Sequence, residues 1–281
     1  MAHFDPDQPN PTLDLPADPR ELATIALRIA SSAADLVRER RAQGFGIETK
    51  STATDMVTDV DRASDRLIRE LIGQERPDDG IITEEDATIV GTSGVTWVAD
   101  PIDGTTNFVY GMRPYLVSIG AVVDGVSVAA AVVEISGDTR FHAALGSGSY
   151  RDGARLRVPE APTLDRALVA TGFGYAPERR KRQARVVAGI IDHVRDIRRL
   201  GAAAYDLCAV AMGHVDGYYE HGLGAWDLAA GRLIATEAGA AVEAIAGGPA
   251  EPHEGVIAAH PDLIGPLRSL IVEHGALEVL D

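Results

Sequence analysis

The sequence predicts an α+β or layered α/β protein on three observations: helix-period segments open the chain, short antiparallel-type strands fill its middle, and helix and strand patterns alternate thereafter. With 281 residues, 46% of them hydrophobic, the chain can build one large core or two fused halves. Residues 1–17, rich in Pro and Asp, read as a loose tail. A single unit is expected over 18–281, with an α+β half over 18–160 and an α/β half over 161–281.

Asp18-Pro19-Arg20-Glu21 reads as a helix start, with Asp18 as cap, Pro19 in the first turn and Glu21 completing a capping box. Leu22, Ile25, Ala26, Ile29 and Ala33 share one face of that helix, which is expected to reach Gln43. Leu67, Ile68, Leu71 and Ile72 place a second helix over 61–74. Ile81-Ile82 is a short β-run, and 95–99 is a strand ending at Asp100-Pro101. Strands 116–123 and 126–135 are joined by Asp124-Gly125, a hairpin dipeptide. Strands 141–145 and 148–151 continue the meander, with turns at Gly137-Asp138 and Asp152-Gly153. Beyond Pro162, strands over 167–171, 197–200, 215–219 and 256–259 alternate with helices over 177–194, 202–212, 226–238 and 261–274.

The charge balance narrows the partners. Lys and Arg number 26 against 42 Asp and Glu, a formal net charge of -16 that repels DNA and RNA, so no nucleic-acid partner is expected. No window approaches the ~20 apolar residues of a membrane span, so no membrane partner is expected either. Met1-Ala2-His3-Phe4-Asp5 lacks the basic start and apolar stretch of a secretory signal, and the expected location is the cytoplasm. Cys208, the single cysteine, excludes an intrachain disulfide and a thiolate zinc cluster and reads as core. The eight histidines show no ligand spacing. An enzyme of this charge acting on an anion needs bound cations to neutralise its substrate locally.

The most informative stretch is Trp97-Val98-Ala99-Asp100-Pro101-Ile102-Asp103-Gly104-Thr105-Thr106-Asn107-Phe108. A strand delivers Asp100 at its carboxyl end, and Asp103 follows three residues later where the chain turns into a helix near Thr105. Two converging carboxylates oppose joint ionisation unless a hard cation joins them, and Mg²⁺ suits oxygen ligands best. The N–H groups of Gly104 and Thr105 would lie beside that ion, suited to phosphate oxygens. An isolated Asp-Gly is an ordinary turn, as at 124–125 and 152–153; the added Asp, Pro and two Thr reverse that reading here.

This segment resembles the D-P-[IL]-D-G-T-x-N-F signature of the inositol monophosphatase family. A second family signature is matched by Trp226-Asp227-Leu228-Ala229-Ala230-Gly231 with Thr236-Glu237-Ala238-Gly239, and the resemblance spans 20–275. It implies a sugar-phosphatase-like fold of alternating α-β-α-β-α layers, usually assembled as a homodimer. It also implies metal-assisted hydrolysis of a small-molecule phosphate ester by two or three Mg²⁺ ions, with sensitivity to lithium. Its metal glutamate falls on Glu84 of Thr83-Glu84-Glu85, where Thr83 replaces the family's glycine. Asp100, Asp103, the Ile102 carbonyl and Asp227 match the other metal ligands, while Glu84 and Thr105 position the attacking water with Asp61 behind Thr105. Gly104, Thr105, Gly201, Ala202, Ala203, Glu220 and Asp227 match substrate-binding positions. Asp61 and Asp227 also stand at helix starts, where capping alone would explain an aspartate. Glu85, Asp59 and Asp65 read as solvated neighbours. The roles of Lys50, Arg198 and Arg199 stay open between surface charge, ion pair and anion contact. Thr106 stands where histidinol-phosphatase and adenosine-bisphosphate phosphatase relatives often have Lys, which favours an enzyme acting on myo-inositol monophosphate; histidinol-phosphate and fructose 1,6-bisphosphate phosphatases remain alternatives beside a non-catalytic regulatory protein keeping the fold.

Overall fold

The computed structural model describes residues 15–49, 56–250 and 255–279; Lys50 and the first fourteen residues of the expected tail lie outside them. Leu15 and Ala17, also within that expected tail, pack against the first core cluster. The elements run α1 (Pro19–Gln43), β1 (Ile47–Thr49), β2 (Met56–Thr58), α2 (Asp59–Glu75), β3 (Gly80–Thr83), β4 (Thr96–Asp103) and α3 (Thr105–Tyr110). The meander follows as β5 (Leu116–Val123), β6 (Val126–Glu134), β7 (Thr139–Ala144), β8 (Gly148–Arg151) and β9 (Ala154–Arg155). The second half holds β10 (Leu168–Thr171), α4 (Pro177–Ile190), β11 (Asp196–Arg198), α5 (Ala203–Met212), β12 (Gly217–His221), α6 (Ala225–Glu237), β13 (Ala241–Ala244), β14 (Gly255–Ala259) and α7 (Pro261–Glu273).

Seven strands form one sheet in the order β3-β4-β5-β6-β7-β8-β9, and five form another in the order β11-β10-β12-β14-β13. In the first sheet only β3 and β4 run parallel; its other pairs are antiparallel. In the second, β10 lies parallel to both β11 and β12, while β14 pairs antiparallel with β12 and β13. α1 packs on the outer face of the seven-stranded sheet, with α2 beside it. α5 and α6 pack between the two sheets, and α7, with α4 against it, covers the far face of the five-stranded sheet. The result is the α-β-α-β-α layering, with a core cluster at each of the four interfaces. Cys208 lies in the cluster between α5 and the larger sheet. No described helix is long and apolar enough to cross a membrane.

Several expected boundaries move, each for a local reason. α1 is capped by Asp18, whose carboxylate accepts from the Arg20 N–H at 2.9 Å; Glu21 is exposed and adds no capping bond among the described residues. α2 begins at Asp59 rather than Asp61, because Thr58 is the cap and Asp61 its reciprocal partner in a capping box. α4 stops at Ile190, short of 194. The 124–125 and 152–153 turns take positive φ at both central residues, the hairpin geometry that Asp-Gly favours. The short strands β1, β2, β9 and β13 have no run long enough to stand out as a pattern.

Candidate active site

The site begins with an irregularity in β4. That strand does not end at Ala99 but runs on to Asp103, pairing Asp100 with Ser118 and Asp103 with Leu116 of β5. Three steps along β4 therefore match two along β5, which is a β-bulge. In an unbroken strand, side chains three apart point to opposite faces. The extra residue returns both carboxylates to one side, toward the N-terminal ends of α5 and α6. There one oxygen each of Asp100, Asp103 and Asp227 lies within 4.8 Å of the others.

Backbone N–H groups hold each aspartate in place. Asp100 Oδ1 accepts from the Ile102 N–H at 2.9 Å, and Asp103 Oδ2 from the Ala204 N–H at 2.8 Å at the start of α5. Asp227 Oδ2 accepts from the Gly224 N–H at 2.6 Å in the first turn of α6. The capping role of Asp227 and its place in the cluster thus coexist. The same holds for Asp61, which caps α2 through the Thr58 N–H at 2.9 Å and accepts from the Thr105 hydroxyl at 3.1 Å. The Ile102 carbonyl is a second acceptor for that hydroxyl, also at 3.1 Å. Gly104, with φ near 87°, makes the turn from β4 into α3, and a Cβ there would sit 3.0 Å from the Pro114 carbonyl. Only glycine fits both demands.

Burial raises the pKa of each carboxyl in this group, making it a weaker acid. Desolvation, then the charges of Glu84, Asp103 and Asp227, pushes Asp100 well above the usual carboxylate range. Desolvation, then Asp103 and Glu84, does the same to Asp227. Asp103 rises to about 7 through burial, opposed by the Ala204 N–H. Asp61 rises to about 6, again chiefly through burial. A hard divalent cation would relieve that repulsion, and the donor set is oxygen alone, so these residues fit Mg²⁺ rather than zinc or a soft metal.

A cavity of about 370 Å³ opens over the cluster. Glu84, Ile102, Gly104, Thr105, Gly201, Ala202, Ala203 and Glu220 line it together with the three aspartates, so it gathers every expected site residue except Asp61, which stands behind Thr105. Glu220 lies within β12, and its Oε2 accepts from the Tyr218 hydroxyl at 2.8 Å. Burial lifts this carboxyl to about 7, while Tyr218 and Arg199 pull it back.

The family model described as the inositol monophosphatase family matches residues 18–275. The chain belongs to the inositol monophosphatase family. It is 47% identical to the inositol-1-monophosphatase SuhB of Mycobacterium tuberculosis over 244 residues, covering 80% of this chain and 84% of that one. The solved SuhB structure from M. tuberculosis superposes with a TM-score of 0.79, covering 92% of this chain and 99% of that one. The Bartonella henselae suhB structure, 30% identical, reaches 0.85 over 89% of this chain and 98% of that one. The protein named Nus factor SuhB in Escherichia coli K12 is 37% identical over 230 residues, covering 81% of this chain and 86% of that one.

In this inositol monophosphatase family member, the cavity also has walls the motifs did not announce. Phe173 and Tyr175 enter from the segment between β10 and α4 and Arg179 from the first turn of α4, facing the cavity alongside Trp226, the opening residue of the second signature. The available signal was positional, since loops at the carboxyl ends of parallel strands commonly line ligand sites. Arg199 lines the cavity, its Nη1 where a Cβ on Gly201 would fall, 2.2 Å away. Arg198 instead pairs with Asp196 at 2.5 Å on the surface. Asp65 is a correction: it is buried, not solvated, and bonded to Arg69 at 2.8 Å. Asp206 in α5 is buried, neither of its carboxylate oxygens has a hydrogen-bond partner among the described residues, and desolvation pushes its carboxyl well up.

Proposed function

We propose that the protein is a Mg²⁺-dependent phosphomonoesterase that hydrolyses myo-inositol monophosphate or a closely related polyol phosphate. The observation that carries this reading is the convergence of the Asp100, Asp103 and Asp227 carboxylates at the floor of a polyol-sized cavity. Two or three Mg²⁺ ions held by Glu84, Asp100, the Ile102 carbonyl, Asp103 and Asp227 would offset the phosphate charge, acidify a water and stabilise the leaving oxygen.

The chain's own groups do the rest. The Thr105 hydroxyl carries one proton and has two acceptors; given to Asp61 Oδ1, it leaves the lone pairs of Thr105 Oγ1 to accept from an attacking water and aim it at phosphorus. Glu84, which also lines the cavity, shares that positioning role. Glu220 Oε2 is engaged by Tyr218, so Oε1 serves as the acceptor for a substrate hydroxyl, beside the Gly201–Ala203 wall. A phosphate-release screen over inositol, histidinol, fructose and nucleotide phosphates tests the assignment. No release from any of these with Mg²⁺ present would overturn it. Family membership also supports lithium inhibition and a homodimer, checked by titration and by analytical ultracentrifugation.

Arg179 and Arg199 favour fructose 1,6-bisphosphate as a second substrate. Both face the cavity, and neither has an ion-pair or hydrogen-bond partner among the described residues, so a second anionic group would meet a cation there. Arg199→Ala should then depress kcat/KM for the bisphosphate more than for inositol monophosphate. The Nus factor name of the E. coli relative supports a regulatory role as a further reading, tested by a pull-down from lysate alongside the release assay.

A further inference from the structure

We propose that Arg69, anchored by Asp65, is a positioning residue that sets the cation affinity of the site by clamping the loop that carries Glu84. The proposal rests on the reading of Glu84 as a metal-site carboxylate given above.

Arg69 lies on α2, and only 12% of its side chain is exposed. Its Nε donates to Asp65 Oδ2 one helical turn earlier, at 2.8 Å, and the Asp65 side chain is only 3% exposed. The guanidinium is thereby fixed in orientation, and its two remaining nitrogens reach the same loop from one rigid plane. Nη2 donates to the Thr83 hydroxyl, and Nη1 donates to the Ala87 carbonyl at 2.9 Å. Glu84 and Glu85 lie between those two contacts. A two-residue bridge between Ile81 and Ile89 closes the loop at its base, with N–H···O distances of 2.9 and 2.8 Å. Glu84 is therefore on a segment gripped at both ends, next to strand β3, while the residues between the grips make only bends.

The chemistry fits guanidinium and not ammonium. A planar fork with fixed donors can span two acceptors four residues apart while holding a third, whereas a lysine ammonium on a flexible stem cannot reproduce that geometry. The hydroxyl of Thr83 is what makes the nearer grip; a glycine there would offer no side-chain acceptor. A carboxylate ligand whose backbone is held in place loses less freedom when a cation binds, so the clamp acts on affinity rather than on the chemical step.

The test uses the full-length protein with Thr83→Val, Thr83→Ser, Arg69→Met and Glu84→Gln. Mg²⁺ binding is measured by isothermal titration calorimetry, melting temperature is measured with and without Mg²⁺, and kcat and KM are taken at saturating Mg²⁺. Thr83→Val and Arg69→Met are expected to weaken Mg²⁺ binding by roughly 10-fold or more, the usual cost of losing an outer support of a metal ligand. KM for the phosphate ester at saturating Mg²⁺ should change by less than about twofold, because the substrate wall is untouched. Thr83→Ser, which keeps the hydroxyl, should bind Mg²⁺ as the parent does. A purely structural role would lower the melting temperature of Thr83→Val and leave its Mg²⁺ affinity alone, and that result overturns the proposal. If Glu84→Gln weakens Mg²⁺ binding while Thr83→Val and Arg69→Met do not, the clamp fails and the metal role of Glu84 stands. If Glu84→Gln binds Mg²⁺ normally, both fail together.

Discussion

Asp100 and Asp103 act together only because one extra residue in β4 turns the second carboxylate toward the first. Their motif was legible in the sequence; the bulge was not, since its register is set by a partner strand that begins more than ten residues later. Asp103→Asn separates charge from shape. The amide oxygen can still accept from the Ala204 N–H at 2.8 Å, while a carboxylate that burial makes costly is replaced by a neutral group. The variant is expected to lose more than about 100-fold in phosphate release, beyond the usual cost of an outer support. Its melting temperature in a chelating buffer should be equal to or above that of the parent, measured by circular dichroism. Activity near the parent's would exclude Asp103 from the metal site. Thr105→Val, which removes the hydroxyl between Asp61 and Ile102, is expected to lower kcat by roughly 100-fold with little change in KM, read in a steady-state assay. Arg179 escaped sequence reading because an Arg in a basic helix start looks like surface charge until the fold turns it inward. Asp65 escaped for the converse reason: nothing in the local pattern distinguishes a buried i,i+4 ion pair from an exposed one.

At the scale of elements, β4 depends on Asp79. This buried carboxylate accepts from Arg76 Nε at 2.8 Å, the Ser93 hydroxyl at 2.5 Å and the Trp97 indole N–H at 2.8 Å. It joins the end of α2 to the strand that carries Asp100. Asp79→Ala strands those donors and is expected to cost about 2–4 kcal/mol in urea denaturation. β5 and α6 meet at Gly120, where a Cβ would come within 2.9 Å of the Ala229 Cβ and 3.0 Å of its backbone carbon. Gly120→Val must push α6 away, taking Asp227 with it. We expect about 1–3 kcal/mol of lost stability, seen in urea denaturation, and weaker Mg²⁺ binding in calorimetry. The long elements were readable because α1 and α2 carry a period of 3.6, while β5 and β6 are near-continuous apolar runs joined by Asp124-Gly125 and buried on both faces. Strands of two to four residues, such as β1, β2 and β13, carry no period and depend on the partner that pairs with them.

The whole molecule keeps its repulsive pocket within a layered body of net charge -16. Burial places Asp61 near 6 and both Asp103 and Glu220 near 7, against ordinary values of 3.8 for aspartate and 4.5 for glutamate. Between those limits the folded chain holds protons that the unfolded chain has released. The stability these groups contribute is therefore complete below about pH 4, declines as pH rises through about 4 to 7, and is flat above that window. On the proposed reading Mg²⁺ would bind the deprotonated carboxylates, so its stabilising effect should grow over the same window. Melting temperatures measured from pH 5 to 8 with chelator and with Mg²⁺ check this: the rise on adding Mg²⁺ should be larger at pH 8 than at pH 5. An equal rise at both values would contradict the pocket as the binding site. The layering itself was legible from the alternation of patterns, but that α5 and α6 serve both sheets at once was not.

That shared middle layer makes the chain indivisible in a useful way. Glu84, Asp100 and Asp103 precede the extended stretch 156–163, whereas Asp227 follows it on a helix pressed against the larger sheet. Two separately expressed pieces divided in that stretch would each own an incomplete set of oxygens and an uncovered apolar face. On the proposed phosphatase reading, phosphate release would be silent in either piece and switch on only at their reunion, making the activity its own reporter of reassembly.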